Sequence, residues 1–347
     1  MSAGFAIREA DTGDAAGWDA FVRNHARGSA YHLYGWREVF GAALGAPTRY
    51  LIATSRTGAV NGLLPLVHLK SPLFGNFFVS VPYANFGGAL GDSATTETEL
   101  MHAAGELAAA AGASHAEFRD TIERGENWPA RLDKVEMIRP LESDPDEFMR
   151  NVGGKMRTKI RRPVKDGATA RRGHMDLLND FYAVFSENMR DLGTPTHSRE
   201  FFRAILDCMG DAAEIVAVHI DGQPVAAGLL IHHGPRTEIP SASCLRAFNA
   251  IKVNMFLYAE CLQAAIERGS TTFDFGRSTP GGGTYHFKRS WGAEPEQLYW
   301  HYWLRDGAEL PNLSPSNPKY ELAIKVWQRL PLWLTNRLGP VIVRKLP

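Results

Sequence analysis

Residues 214–233 read EIVAVHIDGQPVAAGLLIHH. A β-branched run, the turn Asp221-Gly222 and a second apolar run make a hairpin signature, because Asp-Gly supplies the positive φ that a tight turn needs. Residues 50–69, YLIATSRTGAVNGLLPLVHL, repeat the pattern around Thr57-Gly58. The flanks repeat too. AYHLYGWREVFGAALG (30–45) precedes the first hairpin and PTHSREFFRAILDCMG (195–210) the second; His32 and His197 are 165 residues apart, as are Gly45 and Gly210. Both segments read as short amphipathic helices stopped by glycine. ELMHAAGELAAAAGASHAEFRD (99–120) follows the first hairpin and NMFLYAECLQAAIERGSTTFDFGR (254–277) the second. Each reads as a long helix, a stopping glycine (Gly112, Gly269) and a short strand. The order helix, hairpin, helix, strand thus occurs twice at nearly constant spacing, which argues for tandem duplication of one α/β unit.

Bulk properties agree with two globular domains. The chain has 347 residues, 44% apolar and 22% charged, which is ordinary globular composition. The net charge of zero is unevenly spread: residues 1–150 carry 13 basic and 19 acidic residues, 151–307 carry 19 and 17, and 308–347 carry 6 and 2. A basic C-terminal half suits an anionic partner. Three cysteines without CxxC spacing point to a reducing compartment. No apolar run approaches the ~20 residues of a membrane span, and the N-terminus has acids where a signal peptide needs positive charge. The expected location is cytoplasmic. The acids at 143–147 suit a helix N-terminus, so the predicted domains are 1–145 and 146–307, followed by a basic, Trp/Leu-rich tail at 308–347.

Two stretches carry candidate chemistry. KMRTKIRRPVKDGATARR, Lys155 to Arg172, holds eight basic residues and one acid. It is either a solvated helix face or a phosphate-binding surface that includes Arg161; Pro163 predicts that its helix stops near Arg162. A second helix is predicted from Asp176 to Leu192, ended by Gly193. FDFGRSTPGGGTYHFKRSWGAEP, 273–295, is glycine-rich, but lysine does not directly follow its last glycine, as a Walker loop requires. It also lacks GxGxxG and shows no helix start in YHFKRSW. It reads as a connector between two strands. There is no HExxH, and His232 and His233 point to opposite faces of a strand, so no metal is expected.

Taken in order, KMRTKIRRPVKDGA, NMRDLGTPTHSREFF, the 214–233 hairpin, the 251–268 helix and FDFGRSTPGGGTYHFKRSWGAEP resemble Fem-like proteins of the GNAT acyltransferase superfamily. The nearest similarity is to the FemAB-like group that accompanies exosortase (PEP-CTERM) and exopolysaccharide systems. The resemblance is strong in the C-terminal half and weaker in the N-terminal half, which fits a degenerate first unit. It implies tandem GNAT-like α/β domains of Fem type, each a mixed, twisted sheet with helices on its faces, and acyl or aminoacyl transfer to an amine. Fem-type relatives move an amino acid from aminoacyl-tRNA onto a cell-wall precursor peptide.

Amide formation from an activated ester needs a neutral amine, a stabilised oxyanion and a protonated leaving group. The resemblance carries the oxyanion or phosphate role to Lys288, in YHFKRSWG, with Trp291 flanking it. Arg277, at the carboxyl end of the 273–275 strand, is a candidate substrate ligand. Asp274 is a candidate base or an orienter of Arg277, and Tyr285 a candidate proton donor. His197 and His286 are alternative bases. The resemblance further places Asn188, Arg190 and Thr194 near the acceptor. Thioester-using GNAT enzymes carry a [QR]xxGx[GA] turn, whereas this chain reads CLRAFNAIKVN there. Coenzyme A is therefore disfavoured. No resident cofactor is expected, and the donor would be a co-substrate, aminoacyl-tRNA or an acyl thioester on a carrier.

The tail reads as a helix docked on the domain or as an interfacial helix at the inner membrane, with Pro331 and Pro340 breaking any long apolar face. Three functions fit. The first is amide formation on an envelope, exopolysaccharide or peptidoglycan-type precursor. The second is long-chain N-acylation of a lipid amine. The third is a non-catalytic scaffold in an exopolysaccharide system.

Overall fold

The structure is a computed structural model that describes residues 4–71, 75–125, 128–311 and 321–344. In chain order the first half contains β1 (Phe5–Glu9), α1 (Ala15–Asn24), α2 (Trp36–Val39), the hairpin β2 (Leu51–Ser55) and β3 (Val60–Leu64), β4 (Val67–Ser71), β5 (Gly75–Val79) and β6 (Leu90–Gly91). It continues through α3 (Ala94–Ala110), β7 (His115–Asp120), β8 (Ala130–Arg131) and β9 (Val135–Pro140). The second half contains α4 (Pro145–Asn151), α5 (Gly154–Lys165), β10 (Thr169–Gly173), α6 (Leu178–Leu192), α7 (Arg199–Met209), β11 (Ala213–Ile220), β12 (Gln223–His233) and β13 (Arg236–Cys244). Then come α8 (Val253–Glu267), β14 (Thr272–Ser278), α9 (Gly283–Ser290), β15 (Glu294–Gln297), β16 (Tyr299–Leu304), α10 (Glu321–Trp327) and α11 (Leu332–Val343).

The repeat is present in space. Both hairpins form, and Asp221 (φ 50°) and Gly222 (φ 76°) adopt the left-handed turn conformation. Among the described residues only two strand pairs are parallel, β5 with β7 and β13 with β14. Each pair is separated in sequence by one long helix, α3 or α8, as a crossover connection demands. Gly112 and Gly269 follow those helices with φ 70° and 85°.

Three sheets result. Their orders are β1-β2-β3-β6, β4-β5-β7-β16-β8 and β10-β11-β12-β13-β14-β9-β15. Two strands trade places. β9 leaves the first half and pairs antiparallel with β14 and β15, while β16 returns from the second half and pairs antiparallel with β7 and β8. The boundary expected near residue 145 is thus crossed by hydrogen-bonded strands on both sides. One hydrophobic cluster also spans the halves, joining Trp36, Phe40 and Phe77 to Phe181, Phe202 and Leu206. A second lies under α8 and contains Phe148, Val216, Leu262 and Phe273.

Three local expectations are corrected. Residues 283–290 form a helix, α9, rather than running from a connector into a strand. Its start was hidden because glycine is a poor helix former and Gly282 caps without a side chain. Pro163 lies inside α5, which continues to Lys165. Pro340 likewise lies inside α11, and Pro331 precedes that helix, where its missing N–H has no intrahelical acceptor to lose. The tail docks through α11: Asn336 faces Ser186 of α6, and the Tyr83 hydroxyl donates to the Val343 carbonyl at 2.8 Å. The proline-rich segment after Leu310 lies mostly outside the described residues.

Candidate functional site

The site begins where β13 and β14 diverge. Their parallel register runs Arg236↔Thr272, Thr237↔Phe273 and Glu238↔Asp274, and then stops. On its other edge β14 pairs with β9, with a register break between Asp274 and Arg277. Gly276 occupies that break with φ 73°. A Cβ there would sit 3.2 Å from the Asn85 amide, so both the backbone and the neighbouring half require glycine.

Phe273 and Phe275 point into the core, which turns Asp274 to the other face. Asp274 is fully buried there. Its Oδ1 accepts the Gly276 N–H at 2.7 Å and its Oδ2 accepts Arg236 Nε at 3.1 Å. Its partner is therefore Arg236, not the Arg277 suggested from sequence. Glu136 of β9 and Glu238 of β13 complete a buried trio whose carboxylate oxygens lie within 4.8 Å of one another. Tyr31 and Asn85, both from the first half, donate to Glu238 at 2.6 and 2.9 Å. Such a trio could ligate a cation, but the Arg236 guanidinium already supplies positive charge to Asp274 and Glu136.

Three carboxylates with one arginine cannot all remain ionised away from water. Burial and the Asp274 charge raise Glu238 to about 8 and push Glu136 well above the usual carboxylate range. Lys288 of α9 lies beside this trio. Only 8% of the residue is exposed. Its ammonium donates to the carbonyls of Gly276 and Arg277 at 2.9 and 2.8 Å. Burial pulls it down to about 8, against the opposing attraction of Asp274, Glu136 and Glu238. Of its three donors, one is left without a partner among the described residues.

Arg277 leaves β14 on the open side. It is exposed, yet enough protein surrounds it that desolvation, and then Arg119, lower it to about 10. Its guanidinium lies 5.2 Å from the ring centre of Trp300, on the exchanged strand β16. Arg119 lies 4.3 Å from the same ring but is engaged by Glu117 and by the carbonyls of Val81 and Ala84. The Arg277 guanidinium makes no hydrogen bond or ion pair among the described residues, which leaves a planar, stacked cation available to an anionic group.

A cavity of about 240 Å³ opens at the end of β13 and the start of α8, lined by Asn188, Ser243, Arg246, Asn249, Asn254 and Tyr258 among others. Asn188 donates to Ser243 at 3.1 Å. Tyr258 links the cavity to the diverging strands, stacking on Phe275 at 5.6 Å and meeting Phe287 edge-on at 5.0 Å. A larger cavity, about 390 Å³, lies between α1 and the end of β12 and holds none of the candidate residues.

The structure therefore gathers Lys288, Asp274 and Arg277, and sets Asn188 in the adjoining cavity. Other candidates lie elsewhere. Trp291 is packed in the core under α8 rather than in a cleft, with its indole N–H unpartnered. Tyr285 packs against the same core, and His286 is exposed with only an edge contact to Tyr285. Arg190 is tied to Asp191 and Glu187. Thr194 is exposed, and its N–H donates to Met189 at the end of α6. His197 stacks on Phe201 at 4.4 Å, and burial depresses it to about 4, so it stays neutral and poorly basic. Arg161 is exposed on α5. Sequence reasoning missed Glu136, Arg236, Glu238, Tyr31, Asn85 and Trp300. Charged residues inside the otherwise apolar strands VEMIRP and RTEIPSASC were the available signal for the first three.

This geometry, two units each with a parallel strand pair bridged by one helix, defines a tandem GNAT fold of Fem type. Residues 154–289 match the family described as acetyltransferase (GNAT) domain. The FemX crystal structure superposes with a TM-score of 0.65 at 17% identity, covering 92% of this chain and all of that one. A tandem GNAT protein from the clavulanic acid biosynthesis pathway superposes with a TM-score of 0.56 at 12% identity, covering 89% and 99%. By sequence the chain is similar to the lipid II:glycine glycyltransferase of Staphylococcus aureus, 26% identical over 230 residues, which is 58% of this chain and 53% of that protein. The chain thus spans about half the length of the curated relatives it matches.

Proposed function

We propose that the protein transfers an acyl or aminoacyl group to an amine on a lipid-linked, peptidoglycan-type precursor. The observation that carries this reading is the buried Lys288, which keeps one free N–H beside the unpaired Arg277 where β13 and β14 diverge. The likeness to lipid II:glycine glycyltransferase supports the acceptor class. An exopolysaccharide or exosortase setting rests on sequence resemblance alone. A cytoplasmic location rests on the sparse cysteines and the acidic N-terminus.

In the reaction, the neutral acceptor amine attacks the donor carbonyl. The C–N bond forms, and the C–O or C–S bond of the donor breaks. Negative charge develops on the carbonyl oxygen, where the third N–H of Lys288 stabilises it in surroundings that hold little water. Arg277 takes an anionic group of either substrate, its plane fixed against Trp300. The amine gives up a proton, and the leaving oxygen or sulfur gains one. Asp274 acts through position, holding Arg236 and the Gly276 N–H so that the carbonyls of residues 276 and 277 face Lys288. The donor is a co-substrate, either aminoacyl-tRNA or a carrier-borne thioester, because the turn before α8 has no glycine and Lys252 there is left-handed at φ 67°.

The test is product formation, followed by mass spectrometry, from radiolabelled aminoacyl-tRNA or acyl carrier protein with a lipid-linked peptide acceptor. Product that is lost in Lys288→Ala with the fold intact supports the reading. Absence of product with every donor, together with unchanged cellular function of Lys288→Ala, would replace it with the scaffold role.

A further inference from the structure

We infer that the outer face of α10 and α11 docks on an anionic lipid bilayer. The argument begins with an inversion. A helix packed on a domain normally turns its large apolar residues inward. In α11 the inward positions are Thr335, Gly339 and Val343, four residues apart, and only Val343 is sizeable. Trp333, Leu338, Val341 and Ile342 point to solvent, with Trp333 66% exposed. The helix next to it does the same: Leu322 (74% exposed) and Val326 face out, while Ile324 faces Gly193. Six of the ten large apolar side chains left exposed among the described residues lie between 321 and 344, so this is a patch and not scatter.

The helix cannot simply roll over to bury them. A Cβ on Gly339 would lie 2.8 Å from the Thr196 backbone nitrogen, so the close contact is specific to glycine. Asn336 and the Val343 carbonyl add hydrogen bonds to the inward side. The orientation is therefore built in.

Charge selects the occupant. Arg337 and Arg344 are exposed on α11 and at its end, and Lys325 and Arg329 belong to the neighbouring segment. Glu321 is the one acid between 321 and 344, and it pairs with Lys325. Outward Trp, Leu and Ile rimmed by arginine and lysine match the boundary of an anionic bilayer, where rings and aliphatic chains enter the acyl edge and cations meet phosphates. No helix among the described residues is long and apolar enough to cross a membrane, so the contact is peripheral. The patch also borders the cavity at the diverging strands. Leu192, half exposed and lining that cavity, precedes Gly193, against which Ile324 packs, and Gln328 donates to the Asp191 carbonyl. A docked protein would turn the cavity mouth toward the bilayer surface; that consequence rests on the proposed lipid-linked acceptor, whereas docking itself does not.

The experiment is co-sedimentation of the full chain with vesicles, without donor or acceptor. Phosphatidylcholine vesicles are compared with phosphatidylcholine containing phosphatidylglycerol, at about 0.1 and 0.5 M salt. The expected result is at least about tenfold stronger binding to the anionic vesicles, weakened by salt. The double variants Trp333→Ser/Ile342→Ser and Arg337→Glu/Arg344→Glu should each lose about tenfold. Both change only exposed positions. Wild-type protein left in the supernatant, or variants that sediment like wild type, would overturn the inference. So would a dimer in sedimentation velocity that Trp333→Ser/Ile342→Ser dissociates, since a second copy would then cover this face.

Discussion

Replacing Lys288 by methionine separates the catalytic from the structural reading of the site. Burial holds the ammonium at about 8 instead of the usual 10.5, so ionised Lys288 is less stable in the fold than in water by about 3 kcal/mol. Methionine relieves that penalty. It also removes two hydrogen bonds from a charged donor to carbonyls, each worth about 1.5–3 kcal/mol. The difference is a net loss of about 0–3 kcal/mol. For a chain of this length that lowers Tm by no more than about 5 °C. The loss in the transition state is larger, because an oxyanion donor contributes about 10²–10³-fold in kcat. Single-turnover transfer, measured beside a thermal melt, should show a rate reduced by at least about a hundredfold and a fold barely changed. A rate within about threefold of wild type would refute the oxyanion role. A collapse of both rate and Tm would show that Lys288 only holds the turn at Gly276.

The remaining predictions concern the buried carboxylates and the glycine. Glu238, raised to about 8, favours the fold in its protonated form; its contribution is present below the ordinary carboxylate value near 4.5 and lost as pH rises through about 8. Lys288 has the opposite sign, so its penalty fades between about 8 and 10.5. Glu238→Gln keeps an oxygen for Tyr31 and Asn85 and removes the ionisation. Melting curves should show the fall in Tm between pH 5 and 9 about halved, and an unchanged fall would place the titration elsewhere. If ionised Lys288 is the working form, kcat at saturating substrate should decline as pH rises past about 8, and Lys288→Arg should move that limb upward. Gly276→Ala puts an L side chain at φ 73° and crowds Asn85, so denaturant unfolding should show a loss of about 1–2 kcal/mol, with transfer falling further because the Lys288 carbonyl acceptors move. A variant as stable and active as wild type would mean the turn tolerates another geometry.

The repeat was legible because glycine stops and Asp-Gly turns are local: Gly112, Gly269 and Asp221-Gly222 do in space what their chemistry dictates. The ends of α5 and α11 were misjudged because proline's penalty depends on which carbonyl it deprives, and packing around Pro163 and Pro340 overrides it. α9 was missed since Gly282-Gly283-Thr284 offers no side-chain cap and the helix is held by Lys288 reaching back to β14. At the site, Lys288, Asp274 and Arg277 stood in one stretch and could be named together. Glu136 and Glu238 lie 138 and 36 residues before Asp274 and reach it only through the pairing of β9 and β13 with β14. Tyr31 and Asn85 arrive from still farther back in the first half, and Trp300, near in sequence, is positioned by the pairing of β16 with β7.

The trading of β9 and β16 decides what counts as a unit of this protein. The segment that matches the GNAT family, 154–289, contains neither strand. Excised at residue 145, the second half would lose β9 from between β14 and β15, leaving facing edges with unmet N–H and C=O groups and Asp274 without Glu136 beside it. The first half alone would lose Trp300 and the strand that closes β7. Neither portion is a self-sufficient module. Like two hands with interlaced fingers, the halves must come apart together, so the chain unfolds as one cooperative body in which the second half owes its edges to the first.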